Sequence, residues 1–84
     1  MDVLIDTNIL VYRYDNRFPA KQKIATDILR RGIMAGSLRL PHQAIIEFVA
    51  AVTRSNQGHV ILQQADALRE LEEFLKQFVV LYPI

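Results

Sequence analysis

The chain opens with Val3-Leu4-Ile5, halts this apolar run at Asp6 and Asn8, and resumes it at once with Ile9 and Leu10. An unbroken apolar run closed by polar residues is the pattern of a strand buried on both faces of a parallel sheet. Thr7-Asn8 can then cap a short helix from Ile9 to about Tyr14, which Asp15-Asn16-Arg17 breaks. Pro19 suits the first turn of a second helix. There Ile24, Ile28, the stem of Arg31 and Ala35 recur at helical spacing together with Ala25, Leu29 and Gly32, and Gly36 is a natural stop.

Leu38-Arg39-Leu40 reads as a second short strand closed by Pro41, and residues 41–55 as a third main helix followed by the turn residues Ser55-Asn56-Gln57-Gly58. Ile61, Ala65, Leu68, Leu71, Leu75 and Phe78 predict a long amphipathic helix whose opposite face carries Arg69, Glu70, Glu73 and Lys76. Residues 78–82 are an unbroken β-favouring run before Pro83, hence a third strand. Strands alternating with helices predict βαβ units, right-handed crossovers and an α/β fold with helices on both sides of a parallel sheet. The expectation is a three-layer, Rossmann-like arrangement of three strands and about four helices. An apolar strand at the end of such a chain leaves an uncovered face and an unpaired edge, which invite association. The sequence therefore reads as cut short or completed by a partner.

Composition narrows this picture. With 84 residues there is one domain at most, and a chain of this size buries only about 60–65% of its unfolded surface. Hydrophobic residues make up 51% and charged residues 23%, a globular balance that excludes disorder. The absence of cysteine excludes a disulfide framework and thiolate metal sites, and fits a reducing cytoplasmic setting. Asp2, Asp6 and Asp15, with no basic segment before the apolar run, argue against a secretory leader, and no stretch approaches the roughly 20 apolar residues of a membrane span. A net charge of +1 implies no nucleic acid by itself. Lys21, Lys23, Arg30 and Arg31 read as a solvated helix face, Asp15 and Asp27 as solvated acids, and Tyr12 and Tyr14 as packing residues.

The chemistry lies in two acids set among apolar residues. An isolated carboxylate between Ile5 and Ile9 needs a compensating partner. Glu47 is the single charge in residues 44–52, and its helical neighbours Gln43, Ala44, Ala50 and Ala51 are mostly small, which leaves space above it. Ligands bind beyond the carboxyl ends of strands in open parallel sheets, where Asp6 falls, and Glu47 follows the second strand by one or two helical turns. Two carboxylates that converge repel unless a cation lies between them. Hard oxygen ligands without Cys favour Mg2+ or Mn2+, and Asn8 is placed to orient the pair by a hydrogen bond. The residues alone leave alternatives open: Asp6 as a helix cap, Asn8 as a turn residue, Glu47 as a partly exposed helix position or an ion pair with Arg13 or Arg54, and His42 and His59 as surface residues. Arg13, Arg17 and Arg54 could contact phosphates.

The stretches IDTNILVYRYD, LPHQAIIEFVAAVTR and FVVLYP, with the helix entered through Pro19 between the first two, strongly resemble the PIN-domain family, and within it the bacterial VapC-type toxin ribonucleases. The resemblance spans the whole chain but only the first part of the family's domain, so that residues 1–84 would be the N-terminal part of a single PIN-like domain. It implies that Asp6 and Glu47 are metal ligands and catalytic with Asn8, that the ion is Mg2+ or Mn2+, and that the complete domain is an endoribonuclease acting on RNA. It also implies a type II toxin–antitoxin setting, an antitoxin protein laid over the apolar helices, and a family sheet order that would leave the first strand at an edge. The family's further aspartates lie beyond Ile84, so weak metal binding and little or no nuclease activity are expected of these 84 residues. The competing expectation is a non-catalytic PIN-like interaction module, a homo-oligomer formed through its uncovered sheet. A haloacid-dehalogenase-type phosphatase would place an aspartate where this chain has Asn8, and would not require Glu47.

Overall fold

The computed structural model describes residues 3–83; Asp2, used in the leader argument, lies outside them. The element order is β1 (Val3–Leu4), α1 (Thr7–Tyr14), α2 (Pro19–Ala35), β2 (Leu38–Pro41), α3 (His42–Thr53), α4 (Gln64–Gln77) and β3 (Val79–Leu81). Every element expected from the sequence is present, with ends displaced by a few residues. The first helix starts at Thr7 rather than Ile9 because Asp6, not Thr7-Asn8, is its cap: Asp6 is extended (φ −78°, ψ 143°) and its carboxylate accepts the Asn8 N–H. Pro19 sits in the first turn of α2, and Gly36 ends it in the left-handed conformation (φ 65°), its N–H donated to the carbonyls of Gly32 and Ile33. After α3 the chain reverses through Gln57 and Gly58, both at positive φ (53° and 79°), with Asn56 and His59 exchanging backbone hydrogen bonds of 2.9 and 3.0 Å. Two consecutive left-handed residues are the requirement of a type I′ turn.

The sheet is parallel throughout, in the order β1-β2-β3, with Val3 opposite Leu38, Arg39 opposite Val79 and Leu40 opposite Val80. Side chains alternate across it. Ile5, Leu38 and Leu40 are buried on one face, while Leu4 and Val79, on the other, are 63% and 52% exposed. Both crossovers step in the same direction across the sheet, and right-handed connections that do so deliver their helices to the same face. Helices α1 to α4 therefore share one layer with a single core in which Leu10, Leu40, Phe48 and Val52 are fully buried. The second helix layer expected from the sequence is not found among the described residues: the architecture is two-layer α/β, with three parallel strands and four helices.

The apolar residues expected along two helices divide between core and surface. In α2 the buried residues are Ala25, Leu29 and Gly32, whereas Ile24 and Ile28 are exposed. In α4 they are Ala67 and Phe74, followed by Phe78, whereas Leu68 and Leu75 are exposed. The reason in α2 is close approach. A Cβ on Gly32 would lie 2.3 Å from Leu38 Cγ, so the helix rests its glycine on β2. In α4 the aromatic side chains decide. Phe74 packs edge-on against Phe48 (5.1 Å between ring centroids) and Phe78 (5.8 Å), and this cluster sets the rotation of the helix.

Candidate functional site

The carboxyl ends of the strands bring together residues far apart in the chain. Asp6 follows β1 and caps α1, an exposed carboxylate whose Oδ1 accepts the Asn8 N–H at 3.3 Å. A cap hydrogen bond occupies one oxygen and leaves the other facing water. Capping, one of the alternatives left open by the sequence, is thus what the Asp6 carboxylate does, through the backbone of Asn8 rather than its side chain.

Glu47 reaches the same edge from α3. Its Oε2 accepts the Thr7 hydroxyl at 2.9 Å and its Oε1 accepts Gln43 Nε2 at 3.4 Å. Thr7 adjoins Asp6 in the chain, so the acid of α3 docks on the residue next to the acid of β1. Neither Asp6 nor Glu47 forms an ion pair among the described residues, and the pairing of Glu47 with Arg13 or Arg54 that the sequence left open is not made. Glu47 is exposed at the surface, with Ala44 buried beside it and Ala50 open to solvent. The space expected above the carboxylate is therefore water. Gln43 stands one turn before Glu47, the spacing at which helical side chains meet, so its contact was legible in the sequence. That of Thr7 was not, because it depends on the crossover.

The donor set can be judged against a hard divalent ion. Carboxylate, hydroxyl and amide oxygens are of the right type, and both acids stand in water without competing cations. Among the described residues no group of three or more His, Cys, Asp or Glu gathers at one point. With two carboxylates at most to offer, the donor chemistry is that of a largely hydrated ion and not of a caged one.

Other titratable residues are placed differently from expectation. Asp15 is not solvated but 2% exposed, and Arg17 closes over it with Nε and Nη2 at 2.9 and 2.8 Å and its backbone N–H at 3.1 Å. These hydrogen bonds hold the Asp15 carboxyl below the usual range against the opposing effect of burial, and His59 adds a favourable charge. Arg17 is thereby committed to the α1–α2 junction. Tyr14 packs as expected, with centroids 5.5 Å from Phe48 and 6.4 Å from Phe74, and its hydroxyl donates to Glu70 at 2.9 Å. Burial first, and then the Glu70 carboxylate, push the Tyr14 phenol above its ordinary value. Tyr12 meets Phe18 edge-on at 6.0 Å, and the Lys21 ammonium lies 4.9 Å and 5.2 Å from the two rings. His42 is half-buried and lies against the Tyr82 ring with centroids 5.1 Å apart, a pairing with no signal in the sequence. His59 is exposed at the turn, as expected.

No helix among the described residues is long and apolar enough to cross a membrane. Neither the protein-family models, nor the curated proteins, nor the solved structures contain a match to this chain.

Proposed function

We propose that the chain is the N-terminal part of a PIN-like, metal-dependent endoribonuclease of the VapC type, with Asp6 and Glu47 as its share of a Mg2+ or Mn2+ site and RNA as the substrate of the complete domain. The observation that carries this assignment is the 2.9 Å hydrogen bond from Thr7 to Glu47, which draws one acid to the residue beside the other while both stay free of cationic partners. Two carboxylates drawn to one edge repel each other, and a counter-ion between them relieves that repulsion. Two that share a water-facing edge without a counter-charge are suited to receive one. A divalent ion bound there would supply a polarised water and charge stabilisation for phosphodiester hydrolysis.

The chain's own residues divide the work. Asp6 offers the oxygen not used in capping. Glu47 is steered by two neutral donors that fix its orientation without cancelling its charge. Asn8 holds Asp6 through its backbone N–H and has an exposed amide at the same rim. Two carboxylates give weak affinity and little turnover by themselves, and the setting proposed is cytoplasmic, alongside an antitoxin protein.

Titration with Mn2+ followed by amide NMR tests the site. The expected result is line broadening centred on residues 6–8 and 43–47, lost in Asp6→Asn and in Glu47→Gln. Broadening elsewhere, or unchanged in both variants, ends the assignment.

A second reading, a non-catalytic module that forms homo-oligomers through its sheet, is favoured by one specific observation. The helix-free face exposes Leu4, Val79 and Leu81, the last 44% accessible. It requires no metal and tolerates Glu47→Gln.

A further inference from the structure

The carboxyl edge does not end at the acids. Continuing from Asp6 and Thr7 at β1, through Glu47 and Gln43 on α3, it reaches His42 after β2 and Tyr82 after β3. A cavity of about 310 Å³ opens there, lined by Pro41, His42, Gln43, Leu81, Tyr82 and Pro83. Its wall is an aromatic pair, His42 and Tyr82, tilted at 39°. Tyr82 is 62% exposed, so one side of its ring meets His42 and the rest meets water. The cavity is joined to the acids by a single side chain: Gln43 lines it and donates to Glu47, while its amide oxygen has no partner among the described residues.

We infer that this cavity is a nucleobase subsite: a base stacks on Tyr82, backed by His42, and presents an exocyclic amino group to the Gln43 amide oxygen, which sets the attached sugar-phosphate toward Asp6 and Glu47. An exposed planar ring, a neighbouring hydrogen-bond acceptor and apolar walls of proline and leucine match how unpaired bases are held, by stacking and by contacts to their edges. Among the described residues no lysine or arginine lines the cavity, which favours an uncharged base over a phosphate as its occupant. The inference rests on the proposed ribonuclease reading, since it supplies substrate to that site, and it adds that the unit recognised is a single-stranded RNA with an amino-bearing base beside the cleaved linkage.

The test separates the two. In EDTA, adenosine 5′-monophosphate and a short oligoadenylate are titrated into the protein while the Tyr82 and His42 ring protons are followed by NMR, with ribose 5-phosphate as the ligand lacking a base. Base-containing ligands are expected to shift both rings, and ribose 5-phosphate to leave them unmoved. Tyr82→Ala is expected to weaken binding about five- to a hundredfold, the range for losing one base–aromatic stack, and Tyr82→Phe to preserve it. Because the Tyr82 ring is largely exposed, the alanine variant keeps its fold, which circular dichroism checks. Gln43→Leu is expected to reduce the preference for adenylate over uridylate. Unshifted rings, equal affinity in Tyr82→Ala, or equal shifts with ribose 5-phosphate overturn the subsite. Mn2+ broadening at residues 6–8 and 43–47 reports separately on the acids, so loss of either result leaves the other standing.

Discussion

A single buried carboxylate shows how far a residue's surroundings override its type. Asp15 lies in a stretch that reads as a solvated break, yet Arg17, two residues later, folds back over it with three hydrogen bonds. The native state therefore favours ionised Asp15 more than the unfolded chain does, with its ordinary value of 3.8. Its contribution to stability is complete above about pH 4 and is lost as the pH falls through the depressed native value. Chemical unfolding followed between neutral and strongly acidic pH is expected to show this loss in the native protein, and to show it reduced in Asp15→Asn. Tyr14 works in the opposite direction. Its phenol is raised in the native state, so its contribution is complete below the unfolded value of 10.0 and declines as the pH rises above it. Tyr14→Phe removes the hydrogen bond to Glu70 at a cost of about 1 kcal/mol, and its stability is expected to decline less steeply above pH 10 than that of the native protein. At the acidic edge, Thr7→Val keeps the shape but removes the donor to Glu47. Mn2+ affinity is expected to fall roughly ten- to a hundredfold, the usual cost of losing a group that orients a metal ligand.

Elements meet through small residues and rings rather than through the aliphatic stripes that periodicity suggests. Helix α2 lies on β2 at Gly32, where Leu38 fills the space a side chain would need. Gly32→Ala sets a gain of about 1 kcal/mol in helix propensity against overpacking of about 1–3 kcal/mol. Leu38 is itself buried and cannot swing clear, so a net loss of about 1–2 kcal/mol in denaturant unfolding is expected. The sequence locates α2 and α4 to within a few residues, and its apolar sets hold both residues that are buried, Ala25, Leu29, Gly32 and Phe78, and residues that are exposed, Ile24, Ile28, Leu68 and Leu75. A helix with apolar residues on more than one side, such as Ile24, Ile28, Ala25 and Leu29 here, fits several orientations equally well until its neighbours are placed.

The whole molecule is a two-layer sandwich with one sheet face covered and one open. On the open face Leu4, Val79 and Leu81 are exposed, and exposed apolar sheet surface drives association. The oligomer reading expects sedimentation velocity to show concentration-dependent assembly, and Leu4→Lys combined with Val79→Lys to return the protein to monomer without lowering its melting temperature. A native chain that remains monomeric at high concentration ends that reading, and leaves the Asp6–Glu47 assignment untouched.

Local rules were sufficient for part of this protein. The apolar runs at Val3, Leu38 and Val79, the proline at the start of α2, the left-handed Gly36 and the Asn56–His59 turn act over a few residues, so strand and helix identities and the parallel sheet could be read from the chain, whereas the exposure of Asp6 and Glu47 could not. Which helix face is buried, which oxygen receives which donor, and which rings meet depend on contacts between residues distant in sequence. Thr7 with Glu47, Tyr14 with Glu70 and His42 with Tyr82 each join separate elements. The direction of the two crossovers placed every helix on one side of the sheet, because side chains of one chain can satisfy only one packing at a time, and that choice is made by the assembled core.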